Sequence, residues 1–210
     1  MIAKRAFDIV VSGMALLILS PALLVTAVAA RLSTGRALFR QRRAGRDGEP
    51  FTLLKLRTMT SARDSAGLLL PDADRLTRVG RWLRLSSLDE LPQLLNVLRG
   101  EMSLVGPRPL PVEYVALYTY RERARLRVRP GITGLAQVRG RQAISLEDRF
   151  ELDVQYVESW TLWLDVKIIA LTVPRLLKRT GALPGQNPTA TDERGFIALW
   201  HGQHRPGQLD

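Results

Sequence analysis

From Ile9 to Ala30 the chain carries no charged residue and is almost wholly apolar. About 20 such residues can cross a bilayer as a helix, so this run needs an apolar home whatever the rest of the chain does. Three readings compete. A cleaved signal peptide would take Lys4 and Arg5 as its basic start and Val28-Ala29-Ala30 as a loose cleavage site. Its apolar stretch would be long, however, and Asp8 sits badly at its head. A plain spanning helix conflicts with the flanking charge. Lys4 and Arg5 precede the run, and Arg31, Arg36, Arg40, Arg42 and Arg43 follow it, so the positive-inside rule places both flanks in the cytoplasm. Ser20-Pro21, near the middle, offers the third reading. Proline removes a helical hydrogen bond and clashes with the preceding turn. A helix broken there can enter one leaflet, turn and leave by the same face, with the serine hydroxyl bonding a freed carbonyl. The residues alone leave a re-entrant helix and a kinked spanning helix both open.

The remaining residues must work beside that segment. The chain has 210 residues, enough for one domain and a tail, and a net charge of +11. So basic a chain calls for an anionic partner: nucleic acid, an anionic bilayer or phosphorylated substrates. The absence of cysteine removes disulfides and thiolate metal sites without fixing a compartment.

Leu38–Gln41 and Phe51–Leu56 read as two strands joined by a turn containing Gly45 and Asp47-Gly48, a hairpin signal. Residues 60–74 read as a loop. Arg75–Arg84 reads as a basic amphipathic helix, suited to an anionic membrane surface or to a solvated face packed on the core. Leu88–Arg99 reads as a second helix, with Leu91, Leu94, Leu95 and Leu98 as its buried stripe and Gly100 as its stop. Met102–Val105 is strand-like and ends in Gly106-Pro107-Arg108-Pro109, and Pro111–Val128 is expected to be helical. Ser145–Glu158 is a charged helix with Ser145 and Asp148 at capping spacing. Tyr156, Trp160 and Trp163 fall at helical spacing, as an interfacial aromatic belt would. Leu162–Leu177 is apolar but holds Asp165, Lys167 and Pro174, so it lies on a membrane or packs on the core rather than spanning. From Gly181 the composition is that of an extended tail.

The chemistry-bearing candidates are few. Asp89 and Glu90 are adjacent carboxylates at a helix start. Ser87 and Glu90 have capping-box spacing, and acids favour a first turn, so a structural role is a sound reading of the pair. Pro92 is tolerated only in a first turn and places the helix start near Asp89. Backbone N–H groups point outward there, a setting that also attracts phosphate. Adjacent helical side chains diverge by about 100°, so the two acids cannot flank one bond but can divide roles, one as nucleophile and one as base or metal ligand. Lys55, Arg57, Arg84, Arg108, Arg139 and Arg141 are candidate phosphate partners, Arg108 being framed by two prolines. Any one of them could equally be solvated surface charge. Gly131, Gly134 and Gly140 permit close backbone approach to a ligand, and His201 and His204 are too few for a metal site.

Several motifs occur in order: Lys4-Arg5-Ala6-Phe7-Asp8, Ser20-Pro21, Phe39-Arg40-Gln41, Lys55-Leu56-Arg57-Thr58-Met59, Ser87-Leu88-Asp89-Glu90-Leu91-Pro92-Gln93, Ser103-Leu104-Val105-Gly106-Pro107-Arg108-Pro109 and Arg129-Pro130-Gly131-Ile132-Thr133-Gly134. Together they resemble the bacterial sugar transferase family, the monotopic polyprenyl-phosphate phosphoglycosyl transferases, over about residues 1 to 180. The size is that of the small members that carry the catalytic core alone.

The resemblance implies an α+β fold, predominantly α: a re-entrant membrane helix and amphipathic interfacial helices around a small β-hairpin core. It implies a helix-break-helix over residues 1–36, a catalytic domain over 37–180 and a polar tail over 181–210. Asp89 would attack the β-phosphate of a UDP-sugar, release UMP and hold the sugar-phosphate as an acyl phosphate until a polyprenyl phosphate takes it. Glu90 would assist as base or through Mg²⁺, held by Asp89 and Glu90. Lys55, Arg108 and Arg141 match positions that contact phosphate or complete the active site, and Arg57, Arg84 and Gln137 are taken beside them as candidate phosphate or substrate ligands. The protein would sit on the cytoplasmic face of the bacterial inner membrane among anionic lipids, at the first membrane step of exopolysaccharide or other glycoconjugate assembly, with no nucleic-acid partner and a homodimer left open. Cations and a divalent metal must offset the repulsion between anionic substrates and an anionic nucleophile, which the basic composition fits.

Leu135 stands where the pattern usually has an aromatic residue, Arg139 replaces a small polar one, and Gly35-Arg36 lacks a proline; these departures put the choice of sugar in doubt more than the reaction. A membrane-anchored nucleic-acid-binding module fits the charge. It lacks zinc-finger spacing or an RNA-binding signature, and the aromatics lie in the apolar C-terminal helix. A non-catalytic membrane scaffold would keep the amphipathic pattern without needing Asp89, Lys55 and Arg108.

Overall fold

The computed structural model describes residues 2–139 and 144–177. The apolar run lies inside one helix, α1 (Ile2–Thr34), which continues through Pro21. Helical structure is thus kept on both sides of Ser20-Pro21, where the sequence suggests a break, and the reason is local. Pro21 cannot donate to the carbonyl of Leu17, and Ser20 Oγ donates to that same oxygen at 2.9 Å. One bond replaces the other and the helix carries on.

The middle of α1 touches little of the protein. Leu17, Ile18, Leu24 and Val25 are each at least 67% exposed, whereas Asp8 and Ser12 on one side and Thr26 and Ala30 on the other are buried. By length and composition α1 can cross a membrane.

The rest of the chain forms the body on which both halves of α1 rest. Strands β1 (Leu38–Ala44) and β2 (Pro50–Leu56) make the expected hairpin, in antiparallel register from Leu38 opposite Leu56 to Ala44 opposite Pro50. Asp47 and Gly48 take the left-handed conformation at its turn, as that dipeptide favours. A single turn, α2 (Asp72–Arg75), precedes α3 (Arg78–Leu85). The basic helix is thus shorter than expected. Thr77 caps it, accepting from Gly80 N at 2.8 Å, and Arg75 is left outside, paired with Asp72.

The expected helix Leu88–Arg99 is split into a 3-10 turn, Leu88–Glu90, and α4 (Gln93–Arg99), with Pro92 at the junction and Gly100 ending the helix at φ 84°. Leu94 of the proposed stripe is buried, but Leu95 is exposed. Strand β3 (Ser103–Val105) pairs in parallel with β4 (Gly131–Thr133). Between them Pro111–Val128 forms two 3-10 segments, Val112–Leu117 and Glu122–Arg127, in place of one helix. A short helix α5 (Leu135–Arg139), then α6 (Leu146–Glu158) and α7 (Leu162–Leu177), complete the described chain. Ser145 caps α6 as its spacing predicts, accepting from Asp148 N at 3.0 Å.

The main core joins Leu53 of the hairpin to Leu94 and Val97 of α4, Val105 of β3, Tyr156 of α6 and Ile168 of α7, with Phe7, Val11 and Leu16 of α1 laid against it. A second cluster packs Leu23, Ala27 and Ala30 of α1 against Leu56 and Leu83. Tyr156 is a core residue, not part of an aromatic belt: it is 1% exposed and donates to Asp165 at 2.7 Å. Trp163 alone of that trio is largely exposed.

Polar groups fix the first turns of α1 to this body. Lys4 pairs with the buried Asp165 at 2.5 Å and donates to Val105 O. Arg5 donates to the carbonyls of Val97 and Leu98 at the end of α4. Asp8 accepts from Ser103 Oγ and Leu104 N of β3. Such groups are tolerated inside because each finds a partner.

Candidate active site

Asp89 and Glu90 lie on the 3-10 turn between α3 and α4. Pro92 lacks an N–H, so a regular α-helix cannot run through Glu90, and the chain closes tight i to i+3 bonds there, with Leu91 N on Leu88 O at 3.3 Å. Ser87 takes φ 56° and makes no side-chain cap, so the proposed capping box is absent. The turn aims the two acids differently, as expected. Asp89 is buried, and among the described residues none donates a hydrogen bond to its carboxylate. Glu90 Oε1 accepts from Lys55 Nζ at 2.9 Å and from Arg108 Nη2 at 2.8 Å.

Each cation has its own support. Lys55 stands near the end of β2, where alternation buries Leu54 and Leu56 and leaves Lys55 on the other face. Asn96 of α4 locks that strand in place. Its Oδ1 accepts from Leu54 N at 3.1 Å and its Nδ2 donates to Thr52 O at 2.8 Å, so the side chain serves as a strand partner. Arg84 of α3 donates to the buried Thr58 Oγ1 at 3.0 Å. Gly80 allows this approach, since a Cβ there would fall 1.9 Å from Thr58 O.

Arg108 follows β3 in Gly106-Pro107-Arg108-Pro109. The glycines at this edge meet protein, not ligand: a Cβ on Gly131 would lie 2.1 Å from Gly106 N, and one on Gly134 2.3 Å from Gly106 O. Arg108 is also held from behind. Arg125 Nη2 donates to the Arg108 carbonyl at 2.8 Å and to Asp153 Oδ2 at 2.7 Å.

The electrostatics divide the dyad. Burial, then the neighbouring Glu90 charge, push the Asp89 carboxyl up to about 6, against the opposing pull of Lys55, Arg84 and Arg108. Burial also pushes Glu90 up, but the Arg108 and Lys55 charges and their hydrogen bonds outweigh it and hold that carboxyl well below the usual range. Glu90 therefore stays ionised as the anchor of two cations. Asp89 becomes a carboxylate of raised basicity, ionised above about pH 6, that accepts no hydrogen bond from any described residue.

Lys55, Arg84 and Arg108 thus converge with Asp89 and Glu90 as the sequence predicts. Arg57 does not join them: it turns into its own loop, donating to Met59 O at 3.0 Å and to Ser61 Oγ. Arg139 is exposed on α5. Gln137 buries both amide atoms without a partner among the described residues, beside Gly134. Gly140, Arg141, His201, His204 and the tail lie outside the described residues.

Sequence reasoning missed Asn96, Arg125, Asp153 and Arg149. The last sits on α6, where burial and then the Arg108 charge hold its guanidinium below its ordinary value. The four-residue spacing of Arg149 and Asp153 on one helix face was the available signal.

The residues can accommodate a divalent cation of the magnesium type. No group of three or more His, Asp or Glu occurs among the described residues. Such a cation ordinarily takes one or two carboxylates plus phosphate and water, and the Asp89 carboxylate and Glu90 Oε2 are the dyad oxygens that accept no hydrogen bond from a described residue.

A family model described as bacterial sugar transferase matches residues 1–179. The chain is 52% identical over 191 residues to an uncharacterized sugar transferase, EpsL, of Bacillus subtilis (strain 168), covering 90% of this chain and 95% of that protein. It is 47% identical over 190 residues to a UDP-glucose:undecaprenyl-phosphate glucose-1-phosphate transferase of Caulobacter vibrioides, covering 85% and 71%. It is 40% identical over 198 residues to the exopolysaccharide production protein ExoY of Rhizobium meliloti, covering 86% and 88%.

Proposed function

The chain belongs to the bacterial sugar transferase family, and on that premise we propose that it moves a sugar-1-phosphate from a UDP-sugar to undecaprenyl phosphate through a covalent bond to Asp89. The observation that carries this reading is a buried carboxylate with no hydrogen-bond partner among the described residues, facing Lys55, Arg84 and Arg108, beside a second acid already paired with two of them.

Asp89 attacks the β-phosphorus of the donor. Its carboxylate oxygen bonds to that phosphorus as the bond to the bridging oxygen breaks, and UMP leaves with the bridging oxygen and its electron pair. An oxygen of the polyprenyl phosphate then attacks the same phosphorus, forms the lipid diphosphate-sugar and returns Asp89 as a carboxylate. Lys55, Arg84 and Arg108 are preorganised around the charge that gathers on the phosphoryl oxygens, so they need little rearrangement during the reaction. Glu90 fixes Lys55 and Arg108 and is too acidic to act as a base at neutral pH. A Mg²⁺ ion held by Asp89 and the donor phosphates would supply further charge neutralisation.

The membrane seat follows the same logic. The protein is membrane-associated through α1, and we read α1 as re-entrant from the cytoplasmic face of the inner membrane. In support, its first turns bond to β3, α4 and α7, residues 23–30 pack on Leu56 and Leu83, and the stretch from Leu17 to Leu19 between them is exposed. A straight crossing would carry one end about 30 Å away from the body. A shallow seat puts Asp89 near the headgroups, where an acceptor phosphate lies.

The test is a UMP-release assay over a panel of UDP-sugars with undecaprenyl phosphate, together with intact-mass analysis of the enzyme. UMP release dependent on one donor, and a mass increase equal to that sugar-phosphate when acceptor is withheld, are expected. Product formation from enzyme that never gains that mass would rule out the covalent route.

A further inference from the structure

Arg125 is 4% exposed, although arginine rarely lies so deep. Its guanidinium donates to Asp153 Oδ2 at 2.7 Å, to Tyr118 Oη at 2.7 Å and to the main-chain carbonyl of Arg108 at 2.8 Å. Its central carbon lies 4.8 Å from the Phe150 ring centre and 5.4 Å from that of Tyr118. A buried ion pair is weak evidence for stability, because desolvation offsets much of its Coulombic gain. Here one end of the pair is fixed to the residue that reaches the dyad. Arg108 is framed by two prolines, Gly131 N donates to the preceding carbonyl of Pro107 at 2.9 Å, and the Arg125 bond links the Arg108 carbonyl to Asp153 of α6.

We propose that Arg125, fixed by Asp153, is a positioning residue that sets where the Arg108 guanidinium stands relative to Asp89 and Glu90. The shape of the donor set supports this. A guanidinium presents a rigid planar fork of donors, so it can hold Asp153, Tyr118 and the Arg108 carbonyl in one plane. An ammonium is a point charge and cannot span the three. Asp153 and Phe150 are on α6, Tyr118 and Arg125 in the segment before β4, and Arg108 in the loop after β3, so three parts of the chain meet at one side chain. A shift of the Arg108 peptide moves its Nη2 off Glu90 Oε1 and changes the field at Asp89.

This inference rests on the reading of Arg108 as part of the phosphoryl-transfer site, and the experiment separates the two. The full chain in detergent micelles is assayed with its best UDP-sugar and undecaprenyl phosphate as wild type, Arg108→Ala, Arg125→Met, Arg125→Lys, Asp153→Asn and the double variant Arg108→Ala/Arg125→Met, with kcat and the melting temperature measured for each. If Arg125 acts through Arg108, its loss costs nothing further once the Arg108 guanidinium is gone.

For Arg125→Met the expected result is a loss of tenfold or more in kcat, with the double variant no slower than Arg108→Ala alone. Arg125→Lys and Asp153→Asn should fall between wild type and Arg125→Met in kcat. A fold defect lowers kcat by a similar factor in either background, and that result would overturn the proposal. Should Arg125→Met not accumulate as folded protein, Asp153→Asn carries the same test, since it keeps the shape of the pair and removes its charge. Full activity in the Arg125 and Asp153 variants alongside a loss in Arg108→Ala would sink the positioning role and leave the function standing. Wild-type activity in Arg108→Ala would sink both.

Discussion

Arg108 Nη2 donates to Glu90 Oε1 over 2.8 Å, so a principal cation of the site is bound to the neighbour of Asp89, the proposed nucleophile, and not to Asp89 itself. Glu90 thereby acts as a strut. Glu90→Gln keeps an oxygen in place but removes the charge that holds Lys55 and Arg108 and that pushes the Asp89 carboxyl up. Turnover should fall roughly 10- to 100-fold, within the range of lost electrostatic preorganisation, and the acid limb should move below that of wild type. A general-base role predicts instead an acid limb that disappears, which the pH profile of this variant distinguishes.

The wild-type profile follows from Asp89. Burial raises its carboxyl to about 6, and only the ionised form attacks phosphorus. kcat/KM should therefore rise with pH across pH 5 to 7 with a midpoint near 6, since that ratio reports the free enzyme. An acid limb centred near 4 would mean that the nucleophile is not this buried group.

Asp89→Asn should lower turnover by at least about 1,000-fold and abolish the covalent adduct, as loss of a nucleophile does. It should also stabilise the protein. A carboxyl raised in the folded state contributes stability that is fully present below its unfolded value near 3.8 and lost as pH rises through 6. At pH 7.5 the ionised, buried Asp89 is thus a destabilising group, and the amide should gain on the order of 1–3 kcal/mol. Thermal melts of both proteins at pH 7.5 and pH 5 read this directly. The difference should shrink at the lower pH, and a less stable variant at pH 7.5 would contradict the electrostatic account.

The dyad, Lys55 and Arg108 were legible in sequence because a short motif carries each one, and Arg84 because it closes a basic amphipathic helix just before the dyad. The hairpin was legible because Asp47-Gly48 and the alternation around Lys55 are local signals. Pro111–Val128 misread as a helix because its charge density imitates one, while Pro111 and the burial of Tyr114, Tyr118 and Arg125 impose 3-10 turns. Tyr156 misread as interfacial because spacing reports a helix face and not what the face meets; Asp165 and Lys4, far apart in sequence, make that face a core. Asn96 carried no motif at all, and only the strand edge it completes reveals its work. Arg57 shows the converse, a motif residue whose geometry turns it away.

Gly80 provides a purely steric test of the site's frame. A Cβ there would lie 1.9 Å from Thr58 O and 2.7 Å from Thr58 C, backbone atoms that cannot rotate aside. Helix α3 must move outward, taking Arg84 from Thr58 Oγ1. Gly80→Ala should cost about 1–3 kcal/mol, as overpacking does, despite the higher helix propensity of alanine. A melt of the purified variant checks this, and a rise in stability would show that α3 does not press on that carbonyl.

The seat of α1 yields the last prediction, and the composition makes it tractable. The chain contains no cysteine, so any introduced thiol is the only one to label. Lys4, Arg5 and Asp8 bond to the body at one end of α1, and Ala30 packs on Leu56 and Leu83 at the other. On the proposed re-entrant reading both ends face one compartment, with Leu17, Ile18, Leu24 and Val25 in lipid between them. Ile2→Cys and Arg36→Cys, both at exposed positions, should each react with a membrane-impermeant maleimide in inverted inner-membrane vesicles and resist it in intact spheroplasts. By contrast, Ile18→Cys, in the bare middle, should resist the reagent in both preparations until detergent is added. Labelling of Ile2→Cys from the outside together with labelling of Arg36→Cys from the inside would establish a spanning helix, and the bonds from Lys4 and Arg5 to the catalytic body could not then exist in the membrane.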